Sequence, residues 1–213
     1  MLRTSDVAAL ANAQMQKGML RKKAYEGRDF YFSRKTIPVN TLFPGQLTFF
    51  NDVANQNGVL TSQTNLQAAG QTSNLDSFLL MGVRFGWSYG AAAADVSYLI
   101  NNLNMIWRFF NVEFFQGPPE GYPGGSAAYA TAASSLALIT ATYPSPVTSI
   151  INGAPVTHNY FPIGEDGILI NPQEQFQMVL VNTGIYTTAI AAAGGTGLTL
   201  TAWLDGYRIR SVS

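Results

Sequence analysis

The chain has 213 residues, of which 47% are hydrophobic and only 11% are charged, whereas an average soluble domain carries about 25% charged residues. It contains no cysteine, which excludes disulfide frameworks, thiol nucleophiles and cysteine-based zinc sites. The length suits one medium-sized domain with or without an arm, and the 13 Phe, 10 Tyr, 20 Gly and 10 Pro favour a β-sandwich or barrel.

The charges are unevenly distributed along the chain. Residues 1–35 carry eight basic side chains against three acidic ones, and the remainder carries four against nine. We therefore predict a basic N-terminal arm at 1–35 and a body at 36–213. A body so poor in charge favours self-association, because charge is what normally keeps copies of a protein apart. A monomer covered by Ser, Thr, Asn and Gln is the alternative.

The arm begins with a pattern that predicts a short helix at 5–17, capped by Ser5 and ended by Gly18. Its cations are interleaved with aromatic residues at 25 and 30–32, a combination that predicts contact with nucleic acid or anionic lipid. An arm exchanged with a neighbouring subunit and a solvated tail are the alternatives. The cations are Arg3, Lys17, Arg21, Lys22, Lys23, Arg28, Arg34 and Lys35.

The body alternates apolar β-type segments with turn-rich connections. Its pattern predicts a long polar loop at 54–77 and a helix at 91–102, and leaves 126–142 open between helix and strand. Strands are predicted at 46–53, 78–89, 167–170, 176–182 and 198–209, with two more within 103–116 that meet near Asn111. In the strand at 78–89, one face is predicted to hold Leu79, Met81, Val83, Phe85 and Trp87. This order predicts an all-β Greek-key or jelly-roll sandwich with one inserted helix.

No catalytic constellation is predicted. His158 is the single histidine and has no second ligand or nucleophile motif beside it. The acids at 165, 166 and 174 fit turns better than a calcium loop, and the glycine clusters lack the features of a phosphate loop. Trp87, Trp107 and Trp203 are candidates for stacking on sugars, although their strand patterns favour the core. We therefore predict no enzyme activity, no catalytic residue, no metal and no cofactor.

Several segments resemble the jelly-roll coat (capsid) proteins of tailless icosahedral bacteriophages. The run SFLLMGVRF resembles an early strand of those proteins, and the later runs resemble their helix, their Gly-Pro loop, a strand-turn-strand passage and the closing strand. The matching segments lie in the same order, at 77–85, 94–102, 104–109, 114–118, 161–176 and 199–210.

The resemblance implies an eight-stranded jelly roll that assembles into capsomers around a genome, in some such viruses over an internal membrane. A structural coat protein in the virion, made in the host cytoplasm, is thus the expected function. The expected partners are copies of the chain and other capsid proteins, with nucleic acid or anionic lipid met by 1–35 and no small-molecule substrate. Another virion component, such as a minor capsid, spike-base or tail-associated protein, and a carbohydrate-binding β-sandwich module are the alternatives.

Overall fold

The computed structural model describes residues 24–72, 76–87, 93–122, 129–131, 149–151, 161–163, 166–188 and 197–211. The helix predicted at 5–17, the single histidine and most of the undecided segment at 126–142 lie outside these ranges. Two antiparallel sheets, each four strands wide, form a sandwich. The prediction of a mostly β sandwich with one inserted helix is confirmed.

The first sheet has the order β1-β11-β3, and two short strands follow each other along the far side of β3. Its strands are β1 (Ala24–Ile37), β3 (Asp76–Trp87), β8 (Phe161–Pro162), β9 (Ile168–Ile170) and β11 (Leu198–Ser211). The second sheet has the order β2-β10-β4-β5. Its strands are β2 (Gln46–Phe49), β4 (Leu103–Phe109), β5 (Val112–Gly117) and β10 (Phe176–Asn182). One α-helix, α1 (Ala93–Asn102), leads directly into β4.

Two minor elements lie outside the sandwich sheets. A single 3₁₀ turn spans Pro119–Gly121, and a separate ribbon pairs β6 (Tyr129–Thr131) with β7 (Ser149–Ile151). β4 and β5 form a hairpin whose two turn residues, Phe110 and Asn111, both have positive φ, 55° and 62°. Two-residue hairpin turns of this kind match the twist of the flanking strands. The predicted pair of strands meeting near Asn111 is confirmed.

The strand β1 begins well inside the predicted arm. It pairs with β11 residue by residue, from Ala24 opposite Ser211 to Ile37 opposite Leu198. Residues 24–35 are therefore part of the sandwich, and the boundary predicted at residue 35 is too late in the chain. The cations in this stretch made it look like an arm, because an edge strand tolerates charged side chains that a central strand would not.

A β-bulge in β3 reverses which side chains face the core. The pairing of β3 with β11 shifts between Asp205 and Gly206, and Met81 is the extra residue of β3 at this step. An extra residue inverts the alternation of side chains along a strand. The prediction that Leu79 and Met81 share one face with Val83, Phe85 and Trp87 is therefore wrong, although Leu79 itself is fully buried. The core side chains of β3 are Phe78, Leu80, Val83, Phe85 and Trp87.

The interior between the sheets is rich in aromatic rings. The largest fully buried side chains include Phe49, Phe50, Phe78, Phe85, Trp107, Phe109 and Phe176. Inward-facing positions of β11, at Leu198, Leu200, Ala202 and Leu204, are buried in the same core. Burying each large apolar side chain contributes about 1.5–3 kcal/mol, so this layer dominates the stability of the sandwich.

Candidate functional site

The structure describes three of the eight predicted arm cations, and all three belong to β1. Arg28 lies in its N-terminal half. Arg34 donates from Nε to a threonine hydroxyl of β11 at 3.3 Å. Lys35 forms an ion pair with Asp52 and donates to the side-chain oxygen of Asn51 at 2.9 Å. Lys35 therefore joins a strand to a loop within the subunit. The other five cations lie outside the described residues: Arg3, Lys17, Arg21, Lys22 and Lys23.

The aromatic residues among these cations point to different sides of the sheet. Tyr31 is buried in the core, where its ring meets that of Phe78 edge-on with centroids 4.9 Å apart. Phe30 is exposed and Phe32 half-buried, with their centroids 6.1 Å apart. The predicted interleaving of aromatic and basic residues thus divides into one core position and two on the outer face.

An ion pair and an indole ring meet on the outer face of the first sheet. Arg84 donates two hydrogen bonds to the carboxylate of Asp205, at 2.5 and 2.8 Å, and its guanidinium lies 5.0 Å from the ring centroid of Trp203. Trp203 is the half-buried tryptophan of the three predicted candidates. Trp87 and Trp107 are buried in the core, so neither offers its face to a ligand.

Two exposed apolar side chains lie on neighbouring antiparallel segments at the end of the sandwich that holds α1. The chain before β2 runs antiparallel to the chain after β10, with Leu42 opposite Thr187 and a hydrogen bond from Phe43 N to Tyr186 O of 2.7 Å. Leu42 and Ile185 are 61% and 92% exposed. We call these two residues the loop-end patch.

The outer edge of the second sheet is also apolar. β5 is exposed or half-buried along its whole length, and Val112 and Phe114 are among the exposed large apolar side chains. Its pairing with β4 shifts between Trp107 and Arg108, which marks a bulge. Bulges of this kind are common on edge strands, where they disturb the row of free backbone groups.

A small open pocket lies where the second sheet meets the long loop after β2. It has a volume of about 200 Å³. Several residues with side-chain amides line it, and so do the buried Phe50 and Phe176. We call it the amide pocket. Its lining residues are Phe50, Asn51, Ala69, Gly70, Arg108, Asn111, Gln175, Phe176 and Gln177.

Backbone contacts fix the wall of the amide pocket. Phe176 N donates to Gly70 O at 2.8 Å, and Gly70 N donates to Phe50 O, so the loop is held to the start of β10. Gly70 has a φ of 60°, and a Cβ there would lie 3.1 Å from Phe176 O. Glycine suits this position, since it adopts positive φ without steric cost. Sequence reasoning missed the pocket because its residues come from four separate segments of the chain.

The predicted turn at Glu174 fits its surroundings. Its carboxylate accepts hydrogen bonds from the backbone and side-chain amides of Asn171, at 2.5 and 3.1 Å. Asp166 is exposed, while Glu165 and His158 lie outside the described residues. Within the described ranges, no group of three or more His, Cys, Asp or Glu could hold a metal ion.

No protein-family model matches the sequence, and no curated protein matches it. Among the helices in the described part of the chain, none is long and apolar enough to cross a membrane.

Proposed function

We propose that this chain is a viral coat subunit with an eight-stranded jelly-roll fold, which assembles with copies of itself into an icosahedral shell. The path of the chain between the two sheets carries this proposal. The first three strands alternate between the sheets, with β1 and β3 in the first sheet and β2 in the second. β4 and β5 both lie in the second sheet. The later strands alternate again, with β9 and β11 in the first sheet and β10 in the second. A jelly roll is a double sheet of eight strands wound in this manner. β8 and β9 count as one interrupted strand, since both pair with β3.

The order of the resembling segments supports the same proposal. The run at 77–85 lies in β3, the runs at 94–102 and 104–109 lie in α1 and β4, and the closing run at 199–210 lies in β11. Each occupies the kind of element that the resemblance to phage coat proteins implies for it.

The surface favours contacts between copies. Only 11% of the chain is charged, and in its described part four ion pairs are formed within the subunit: Lys35 with Asp52, Arg84 with Asp205, Arg108 with Glu113 and Arg208 with Asp29. The loop-end patch exposes two branched apolar side chains together. Burial of such side chains in a symmetric assembly would remove them from water.

Residues 1–23 are proposed as the part that meets neighbours, genome or internal membrane. Five of the eight cations precede β1, and β1 itself pairs with β11 in the first sheet. A basic segment of this kind attracts phosphate groups of nucleic acid or anionic lipid. The attraction weakens as the salt concentration rises, because releasing bound counterions on binding then gains less free energy.

A double variant of the loop-end patch tests the proposal. We expect the wild-type protein to form large oligomers in light scattering. Each apolar side chain contributes about 1.5–3 kcal/mol when fully buried, so Leu42→Ser with Ile185→Ser should weaken association at least about 100-fold. Leu60→Ser is the matched control, because Leu60 is 62% exposed but lies in a different loop. A wild-type protein that stays monomeric at high concentration would overturn the proposal.

A further inference from the structure

We propose that the amide pocket binds a neutral, hydroxyl-rich ring, namely a single sugar residue at the end of a glycan. This goes beyond the coat function, and it concerns one subunit only, so it does not depend on assembly. The argument rests on the charge, the hydrogen-bonding groups, the floor and the size of the pocket.

The charges that line or border the pocket are compensated. Arg108, the charged lining residue, donates from Nε and an Nη to one carboxylate oxygen of Glu113, at 3.1 and 2.7 Å. Lys35, which contacts the lining residue Asn51, is paired with Asp52. A phosphate or carboxylate ligand would therefore find no unpaired cation here, which favours an uncharged ligand.

The groups that remain for a ligand are amides. The structure gives the side chains of Asn111, Gln175 and Gln177 no hydrogen-bond partner among the described residues, and none of the three is buried. Each amide offers two donor hydrogens and an acceptor oxygen. A sugar hydroxyl also donates and accepts, so neighbouring hydroxyls of one ring match several amides at once.

The floor of the pocket is rigid, because its two aromatic residues are buried and packed together. The rings of Phe50 and Phe176 meet edge-on with centroids 5.5 Å apart, and both residues are buried. Phe50 has a φ of 68°, a conformation that is uncommon for a bulky residue and costs about 1–3 kcal/mol elsewhere in proteins. Such strained residues cluster at binding sites.

The volume limits the ligand to one ring. Pockets for drug-sized ligands enclose roughly 300–1,000 Å³. The amide pocket is smaller, at about 200 Å³, and it is open to solvent on one side. A terminal sugar fits this shape, since the rest of a glycan would leave through the open side.

Saturation-transfer NMR on the purified full-length chain tests the inference. The probes are the methyl glycosides of glucose, galactose, mannose and N-acetylglucosamine, with sialic acid, adenosine and uridine as contrasting ligands. We expect at least one neutral glycoside to bind with a Kd on the order of 1 mM. Gln175→Ala with Gln177→Ala should weaken that binding at least tenfold, whereas Gln116→Ala should leave it unchanged, because Gln116 is an exposed glutamine on β5 outside the pocket.

Three results would overturn the inference. Absence of transfer to every neutral glycoside would show that the pocket takes no sugar. Tighter binding of a nucleoside or of sialic acid would show that the pocket recognises a nucleobase or an anion and not a neutral sugar. Binding that the double variant and Gln116→Ala affect equally would place the ligand elsewhere on the protein.

Discussion

Tyr186 stacks on Tyr98 with ring centroids 4.2 Å apart and an angle of 13° between the planes. The hydroxyl of Tyr186 donates to the carboxylate of Asp95 at 2.8 Å, and that of Tyr98 donates to Asn182 at 2.5 Å. The pair thus links the chain after β10 to the helix α1. This contact holds the loop that carries Ile185, and hence the loop-end patch, against the rest of the sandwich.

The environment of Tyr186 makes the protein sensitive to alkali. Burial, followed by the hydrogen bond to Asp95 and the charge of that carboxylate, raises the pKa of Tyr186 above its ordinary value of 10.0. Burial likewise raises the pKa of Tyr31 and of Tyr122. Above pH 10 the unfolded chain loses these protons while the folded chain keeps them, so the free energy of unfolding falls as the pH rises.

Tyr186→Phe should make that fall shallower. We expect the slope of unfolding free energy against pH, measured by urea denaturation between about pH 9 and pH 11, to decrease in the variant because one raised pKa is removed. At pH 8 the variant should lose about 0.5–1.5 kcal/mol with the hydrogen bond to Asp95. An unchanged alkaline slope would show that Tyr186 titrates alike in both states.

An added methyl group at Gly206 should be strongly destabilising. A Cβ there would lie 2.0 Å from Leu79 O, at the bulge between β3 and β11. We expect Gly206→Ala to lower the unfolding free energy by more than about 4 kcal/mol in urea denaturation, because the obstacle is backbone.

Gly45→Ala is the control for that variant. A Cβ at Gly45 would meet no atom within 4 Å, so the change should stay within about 0.5 kcal/mol. Equal effects of the two substitutions would show that the close approach of β3 to β11 is not present in solution.

Two arginine–carboxylate pairs should differ in strength. Arg84 and Asp205 are each 17% exposed at the side chain, whereas Arg108 and Glu113 are 32% and 52% exposed. Double-mutant cycles with alanine should give a coupling of about 1.5–3 kcal/mol for the first pair, typical of hydrogen bonds to charged groups. The second pair should give about 0.2–1 kcal/mol, because water screens exposed charges. A larger coupling for the second pair would contradict this ranking.

Truncation should separate the arm from the body at residue 23. We expect deletion of 1–23 to leave a single cooperative unfolding transition, since β1 and its partners are all retained. Deletion of 1–37 should abolish that transition. It removes the whole of β1 from its pairing with β11, and it removes the buried Tyr31, which leaves a cavity in the core. Circular dichroism with thermal melting compares the two. A cooperative transition in the longer deletion would show that β1 is dispensable.

Hydrophobic alternation was enough to predict the regular strands. β10 spans the predicted 176–182, and β11 covers the predicted 198–209. In β3 the alternation predicted the wrong face for the residues from Met81 toward the N-terminus. The cause is the bulge, which depends on pairing with the partner strand and cannot be recognised in the sequence of β3 alone.

Charge was a poorer guide than alternation. The charge pattern assigns Lys35 to an arm that meets an anionic partner or a neighbouring subunit, but its side chain pairs with Asp52, 17 positions away in the loop after β2. The amide pocket was unpredictable for a similar reason: Asn51, Asn111 and Gln177 become neighbours only when two strands and a loop are assembled. Both the ion pair of Lys35 and the amide pocket depend on contacts between residues that are far apart in the sequence.

Electron microscopy of the purified protein gives the most direct answer on the coat function. We expect closed shells of uniform size in which this chain is the most abundant species on a stained gel, since a major coat protein outnumbers every other component of a particle. Single separate molecules across a wide range of concentration and salt would contradict it, and so would shells in which the chain is only a rare component.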